Sequence, residues 1–289
     1  MRSQSGHDAR PGVRNDRLRA CSLAETGLPA RRAVRSRYMA RVDVALVAGG
    51  RFHDFDFARL ELLKLLAELG DDVRVKVWDN YEDERVTKSD CLVTYTCDVR
   101  PSVEAQQAIA HWMAAGRKWF ALHGTNAILE FGPPKPVQSP RALPIWMHTL
   151  GSQFVAHPKL HAYRVQNVAQ DHWFTKGIDD FDSGADEELY LCEYHGRCTP
   201  LLTTKFTGMA TGFAESEWPK DEPRLVAYTH HHGTGEILYL TLGHCRSKYD
   251  MQPFVSEYPK NERGSWEVPQ YYELLRRGLR WATGVGPTR

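Results

Sequence analysis

The stretch Trp119-Phe-Ala-Leu-His-Gly-Thr-Asn126 runs four apolar residues into a histidine, a glycine and then polar residues able to open a helix. That is the outline of a strand, a sharp turn and a helix, a place where many α/β enzymes present a nucleophile. Here the turn residue is His123. An imidazole at such a corner can carry a proton near neutral pH or bind a metal through a ring nitrogen. Two further histidines stand just beyond apolar runs: His53 after VDVALVAGGRF, and His244 after EILYLTLG. Three histidines at three strand ends are the core of the candidate site.

Other polar residues fall in neighbouring segments. Gln153 and His157 lie in GSQFVAHP, Glu187 and Glu188 precede Leu189-Tyr190, and Glu193 stands near His195. Histidines gathered from distant segments suit a divalent metal such as zinc, with His53, His123, His157 and His244 as candidate ligands. No HExxH or comparable compact metal motif is present. The alternative is general acid and base work by His123 and His244, with Glu188 as a third catalytic group and Glu188 or Asp54 orienting the rings. His53, Asp54, Asn126, Gln153 and Tyr249 are the candidate substrate contacts. Plainer roles suit other residues: His230–His232 as part of a hairpin turn, Cys97 and Cys245 as small fillers, Trp112, Trp146, Trp173 and Trp281 as core. Tyr249, Tyr258 and Trp266 suit either a sugar-stacking surface or ordinary packing.

These residues need elements to position them. Val42–Val47 reads as a strand ending in Ala48-Gly49-Gly50, which is not GxGxxG, so no nucleotide cofactor is expected. Phe57–Leu69 has helical spacing and Gly70 ends it. Val73–Trp78 and Asp90–Thr96 read as strands, Pro101 to Ala114 or Ala115 as a helix, and Lys118–Leu122 as the strand leading into His123. This alternation predicts a parallel sheet covered by helices. Residues 132–148, with five prolines, read as a long loop. Leu160–Val165, Asp186–Cys192 and Pro200–Phe206 read as strands. Arg224–His230 and Glu236–Leu242 make a hairpin around a His231–Gly235 turn. Pro269–Ala282 closes the chain as a helix with Gly284 beyond it. In such a sheet, ligands bind beyond the carboxyl ends of the strands, near the point where strand order reverses.

The chain has 289 residues and a net charge of +1, which gives no general case for nucleic acid or membrane. No apolar run reaches the roughly 18 residues of a membrane span. Six scattered cysteines with no CxxC fit a reducing cytoplasm better than a disulfide framework. Residues 1–38 hold nine arginines and three acidic residues, a charge of +6, against −5 for the remainder. This Arg-rich segment reads as disordered, with Met39 as the natural start and 39–289 as one α/β domain.

Several blocks taken together resemble the trehalose-utilisation (ThuA-like) family. They are GGRFHDFDFARLELLKLLAE, LVTYTCDVRPS, FALHGTNA, LGSQFVAHP, DEELYLCEYHG and LYLTLGHCRSKYDMQP, spread in order over 42–283. The resemblance implies a flavodoxin-like fold similar to class I glutamine amidotransferases, with helices on both faces of a mostly parallel sheet. It also implies a role in bacterial disaccharide catabolism linked to oxidised (3-keto) sugars. In the amidotransferases a cysteine occupies the sharp turn and a histidine follows a later strand. By resemblance, His123 stands at the cysteine's place and His244 at the histidine's. The blocks around His53, His123, His157, Glu188 and His244 match the family's polar blocks. Amidotransfer needs a thiolate, which histidine cannot supply, so glutaminase activity is set aside.

The expectation is an enzyme acting on a sugar or 3-keto-glycoside, by a divalent metal or by histidine proton transfer. Its partner is a small carbohydrate, with no nucleic acid or membrane, and self-association is left open. The alternative is a non-catalytic sugar- or partner-binding module on the same scaffold. A metal-dependent amide or ester hydrolase is a third reading.

Overall fold

The chain is seen in a computed structural model that describes residues 41–132 and 134–286. The expectation of an Arg-rich disordered extension over 1–38 lies outside the described residues. The elements begin with β1 (Val42–Gly50), α1 (Phe55–Ala67), β2 (Val73–Trp78), β3 (Cys91–Cys97), α2 (Val103–Ala114) and β4 (Lys118–Leu122). Then come α3 (Pro144–Leu150), β5 (Ser152–Ala156), β6 (Arg164–Asn167), β7 (Phe181–Asp182), β8 (Leu191–Tyr194) and β9 (Cys198–Lys205). The last are β10 (Gly208–Met209), β11 (Glu217–Trp218), β12 (Pro223–His232), β13 (Gly235–Leu240) and α4 (Pro269–Thr283).

Nine strands form one sheet in the order β2-β1-β3-β4-β13-β12-β9-β6-β7. From β2 to β13 every neighbouring pair is parallel. Beyond β13 the pairs are antiparallel. The result is a mixed α/β fold with a large, mostly parallel central sheet. The order of its first five strands is compatible with a flavodoxin-like arrangement, whose switch point lies between β1 and β3.

Strand alternation sends side chains to two opposite layers. Val44, Leu46, Phe120 and Leu238 pack with Leu62 and Leu66 of α1 and Leu275 and Leu279 of α4. Their neighbours Ala45, Val47, Trp119 and Ile237 pack with Ile109 and Met113 of α2 and Trp146 and Leu150 of α3. Helices therefore cover both faces. Each of the Val, Leu, Ile, Phe and Met side chains among them contributes roughly 1.5–3 kcal/mol when fully buried. A one-residue slip would exchange the two layers, so both cores specify the register.

Asp54 starts α1 by accepting the Phe57 N–H at 3.1 Å, a cap worth about 1 kcal/mol. Pro269 opens α4, and Gly284, at φ 67°, ends it. Among the described residues, no helix is long and apolar enough to cross a membrane.

Several expectations need correction. No α-helix follows His123; the chain makes one 3-10 turn, His123–Asn126, and the next α-helix starts at Pro144. Thr125 and Asn126 spend their side chains on Leu122 O and Ser152 Oγ, and Pro134, Pro136 and Pro140 lack the N–H groups a helix needs. The loop expected over 132–148 stops early, because Pro144 occupies the first turn of α3.

The strands expected at Leu160–Val165 and Asp186–Cys192 form later, as β6 and β8. Around Glu187 a buried carboxylate organises the backbone in place of a ladder. The hairpin strands also extend further than expected, pairing His231 with Glu236 and His232 with Gly235.

Candidate metal and proton-transfer site

The parallel strands end along one edge, and the histidines stand there. His53 follows β1, His123 follows β4 and His244 follows β13. His123 has φ 45° and Phe52 has φ 76°, backbone that L-residues rarely adopt. The sharp turn is therefore real, and it points an imidazole rather than a thiol into the site. Gly124 follows His123 because a Cβ there would lie 2.5 Å from Thr96 O. Gly243, at φ 114°, lets the chain turn beside the Tyr271 hydroxyl.

Ring orientation follows from hydrogen bonding. His123 Nδ1 lies 2.9 Å from Thr241 O, and His53 Nδ1 lies 3.4 Å from Arg51 O. Carbonyls only accept, so both Nδ1 atoms carry protons in the neutral rings. The two Nε2 lone pairs then face each other at 2.9 Å. Two acceptors at that distance repel unless a cation lies between or beside them. His244 Nε2 meets the Glu262 carboxylate at 2.9 Å, and its buried Nδ1 has no aligned hydrogen-bond partner among the described residues.

Glu188 completes the group. Its Oε2 lies 3.4 Å from His123 Nε2 and 3.6 Å from His53 Nε2, and its Oε1 lies 3.1 Å from His244 Nδ1. One ligand atom from each of His53, His123, Glu188 and His244 lies within 4.8 Å of all the others, and all four residues are buried. For bonds of about 2.05 Å, a tetrahedral zinc site places its donors roughly 3.3 Å apart. The observed spacings bracket that value, so the donor set fits a divalent cation. The carboxylate behind His244 is the outer-shell partner expected of a metal-bound imidazole.

Electrostatics separates the histidines. Burial pushes His53 down to about 3, against the pull of Glu188. Burial also opposes the His244 charge, but Glu188 and Glu262 outweigh it and raise that ring's pKa. Burial acts to raise Glu188, yet the neighbouring His157, His244 and His123 rings hold it well below the carboxylate range. Arg246 is buried as well. It bridges Phe52 O, Glu262 and Glu188 at 2.9, 3.0 and 3.3 Å.

The remaining predicted residues are scattered. His157 stands 3.5 Å from Glu188 Oε1, outside the four-residue group, with Nδ1 on Pro158 O. Asp54 caps α1 and pairs with Arg263 at 3.0 Å, beside a surface groove. Asn126 is buried against Ser152 and Cys192. Gln153 is buried too, and holds Ser139 O and Pro140 O of the proline-rich segment. Tyr249 is exposed on the loop 247–262. Trp266 is buried with its indole N–H on Gly243 O, which is packing and not a sugar-stacking surface. Tyr258 lies against Arg246. Glu193 pairs with Arg141, away from the histidine group.

Sequence reasoning missed Arg246 and Glu262. Arg246 carried a signal, two residues after His244; Glu262 sits in a loop with no pattern to mark it. The aromatic wall formed by Phe131, Phe154 and Phe213 was also missed.

Comparison with known proteins follows the same outline. No curated protein matches the chain. A putative ThuA-like protein from Bacteroides uniformis superposes with a TM-score of 0.59 at 16% identity, covering 89% of this chain and 95% of the other. A second, from Parabacteroides merdae, gives 0.54 at 17%, covering 86% and 92%. A β-galactosidase from Rahnella sp. R3 gives 0.51 at 11%, covering 85% of this chain but 32% of that one. At these identities the likeness is one of fold. The sequence model described as trehalose utilisation (ThuA) matches residues 44–258, a span that takes in His53, His123, Glu188 and His244. With most of its length and all four converging groups inside that match, the chain belongs to the ThuA trehalose-utilisation family.

Proposed function

We propose that this protein is an enzyme of carbohydrate catabolism that moves a proton on a sugar or 3-keto-glycoside, leading to isomerisation, elimination or glycoside cleavage. The observation that carries the reading is the convergence of three imidazole nitrogens and the Glu188 carboxylate at the strand ends. A carbon beside a carbonyl gives up its proton to a base as the electron pair moves toward the carbonyl oxygen. His53 is kept neutral by burial, so its Nε2 can accept that proton. His244 is biased toward its charged form, so it can donate. Two groups of one type with pKa values driven apart make an acid and base pair. His123 is fixed by Thr241 O and turns its Nε2 to the same point.

The same donor set fits a divalent cation held by His53, His123, His244 and Glu188. Such a cation supplies Lewis-acid charge for a sugar oxygen. Glutamine amidotransfer is not part of this reading. Cys97, which lines the adjoining cavity, is pushed well above the ordinary thiol range by burial and by the Glu188 charge, so it supplies no thiolate.

The test is turnover of 3-keto-glycosides, with metal analysis of the purified protein. Product formed by wild type and lost in a folded His123→Ala variant supports the enzyme. Saturable sugar binding with no product after long incubation supports the non-catalytic module instead.

A further inference from the structure

Two cavities share the same pair of wall residues, Phe52 and His53. They are chemically unlike. The first is a chamber of about 70 Å³ that opens to solvent, and its polar wall is made chiefly by His53, His157, Glu188 and Arg246. Its other walls are largely hydrocarbon, with Leu129, Phe131, Val137, Phe154 and Phe213 among them. Their rings stand at angles to one another. Phe154 and Phe213 are 5.7 Å apart at 68°, and Phe213 meets the His157 ring at 4.8 Å and 69°. The second cavity is a groove lined by Arg51, Asp54, Asp56, Asp250 and Gln252, which offer carboxylate, guanidinium and amide groups. Phe52 belongs to both, its backbone held at φ 76° with its carbonyl on Arg246 Nε.

A disaccharide carries hydroxyls on both sides of its glycosidic bond. In the chamber, hydroxyls remote from the histidine wall would meet carbon and lose the bonds they make to water. A flat apolar ring has no such groups, and it packs edge to face against phenylalanine. The groove has the polar partners a sugar ring needs. We propose that the substrate is amphipathic in the same sense as the two cavities: an aryl glycoside, with its aromatic aglycone in the Phe131–Phe154–Phe213 chamber. The sugar lies in the groove, and the glycosidic bond lies beside His53. This assignment of substrate class rests on the glycoside reading above.

The experiment compares equilibrium binding of 4-nitrophenyl glucosides (both anomers), methyl glucosides, trehalose and free 4-nitrophenol, by ligand-observed NMR and calorimetry. The unoxidised glucosides lack the carbonyl that makes the neighbouring carbon acidic, so they serve as unreactive probes. A 4-nitrophenyl glucoside is expected to bind wild type about tenfold or more tighter than the matching methyl glucoside, and 4-nitrophenol is expected to displace it. Phe213→Ser should abolish that advantage without weakening methyl glucoside binding, and Phe213→Leu should keep most of it. The wild-type comparison stands even where a variant fails to fold. Trehalose binding as tightly as the aryl glucoside, or 4-nitrophenol failing to compete, overturns the proposal. Binding of 4-nitrophenol with no affinity for any glycoside also overturns it, but through the glycoside reading beneath it, since the aromatic chamber itself is then upheld.

Discussion

Glu187 holds the main chain of His244 while the next residue, Glu188, faces the His244 ring. The Glu187 carboxylate accepts the His244 N–H at 3.0 Å, and Glu188 Oε1 lies 3.1 Å from His244 Nδ1. Glu187 has no accessible surface, and it also takes the N–H groups of Gly243, Ser265 and Glu188 at 3.1, 2.7 and 3.1 Å. Two adjacent acids thus divide the work: one shapes the turn, the other joins the histidine group.

Glu187→Ala leaves several buried N–H groups without an acceptor. The expected loss is about 3 kcal/mol, a fall in Tm of about 5 °C for a chain of this size. Scanning calorimetry measures it. Glu188→Ala removes a donor of the cluster and leaves this turn intact, so its main effect should be on zinc affinity. Equal thermal losses in both variants would show that the two acids are not divided in this way.

Glu262 steadies His244 from behind and also binds Arg246 at 3.0 Å. Glu262→Ala should weaken divalent metal binding by roughly 10- to 100-fold. Zinc titration against a competing chelator gives the number. An unchanged affinity would reduce Glu262 to an ordinary ion-pair partner of Arg246.

The His53 ring carries a pH signature. Its folded pKa is depressed to about 3 by burial, from an ordinary 6.5. The unfolded chain therefore binds a proton that the folded chain refuses as pH falls from 6.5 toward 3. This group's contribution is fully present above pH 6.5 and is lost through that window, by up to about 1.4 kcal/mol per pH unit. In chelator-treated protein, the stability of wild type should fall more steeply with acid than that of His53→Gln. Denaturant unfolding at several pH values tests this; parallel curves would mean that His53 titrates normally.

The four buried cysteines among the described residues, Cys91, Cys97, Cys192 and Cys245, should be unreactive. Burial pushes Cys91, Cys192 and Cys245 up to about 12 and holds Cys97 well above the ordinary thiol range. Brief iodoacetamide treatment of native protein at pH 8, followed by peptide mapping, should leave all four unmodified. Rapid alkylation of Cys97 would reopen thiolate chemistry beside the cluster.

Much of the parallel half of the fold was legible in the residues. Val73–Trp78 and Lys118–Leu122 were read at their observed bounds, and α4 to within one residue. The alternation of Val73–Trp78 and the apolar run of Lys118–Leu122 are local signals, readable whether the strand is a half-exposed edge or a buried centre. The reading failed where long-range contacts dominate. The segment around Glu187 looks like a strand by its neighbours, yet it is shaped by hydrogen bonds to residues more than 50 positions away. The missing helix after His123 has the same origin, since the Asn126 side chain is claimed by Ser152 and its N–H by the Tyr239 hydroxyl.

The sequence by itself determined that three histidines follow three apolar strands. In a parallel sheet, strand direction then sends them to one edge, whatever the side chains do. Only the tertiary structure decided which groups meet. Glu188 arrives from a segment outside the nine-stranded sheet to face all three rings, while His157 stops at its far oxygen. Where the strands lie along the chain is written in local periodicity. The position of a carboxylate within 4 Å of four imidazoles depends on packing between segments some 30 to 135 residues apart, which no local pattern encodes.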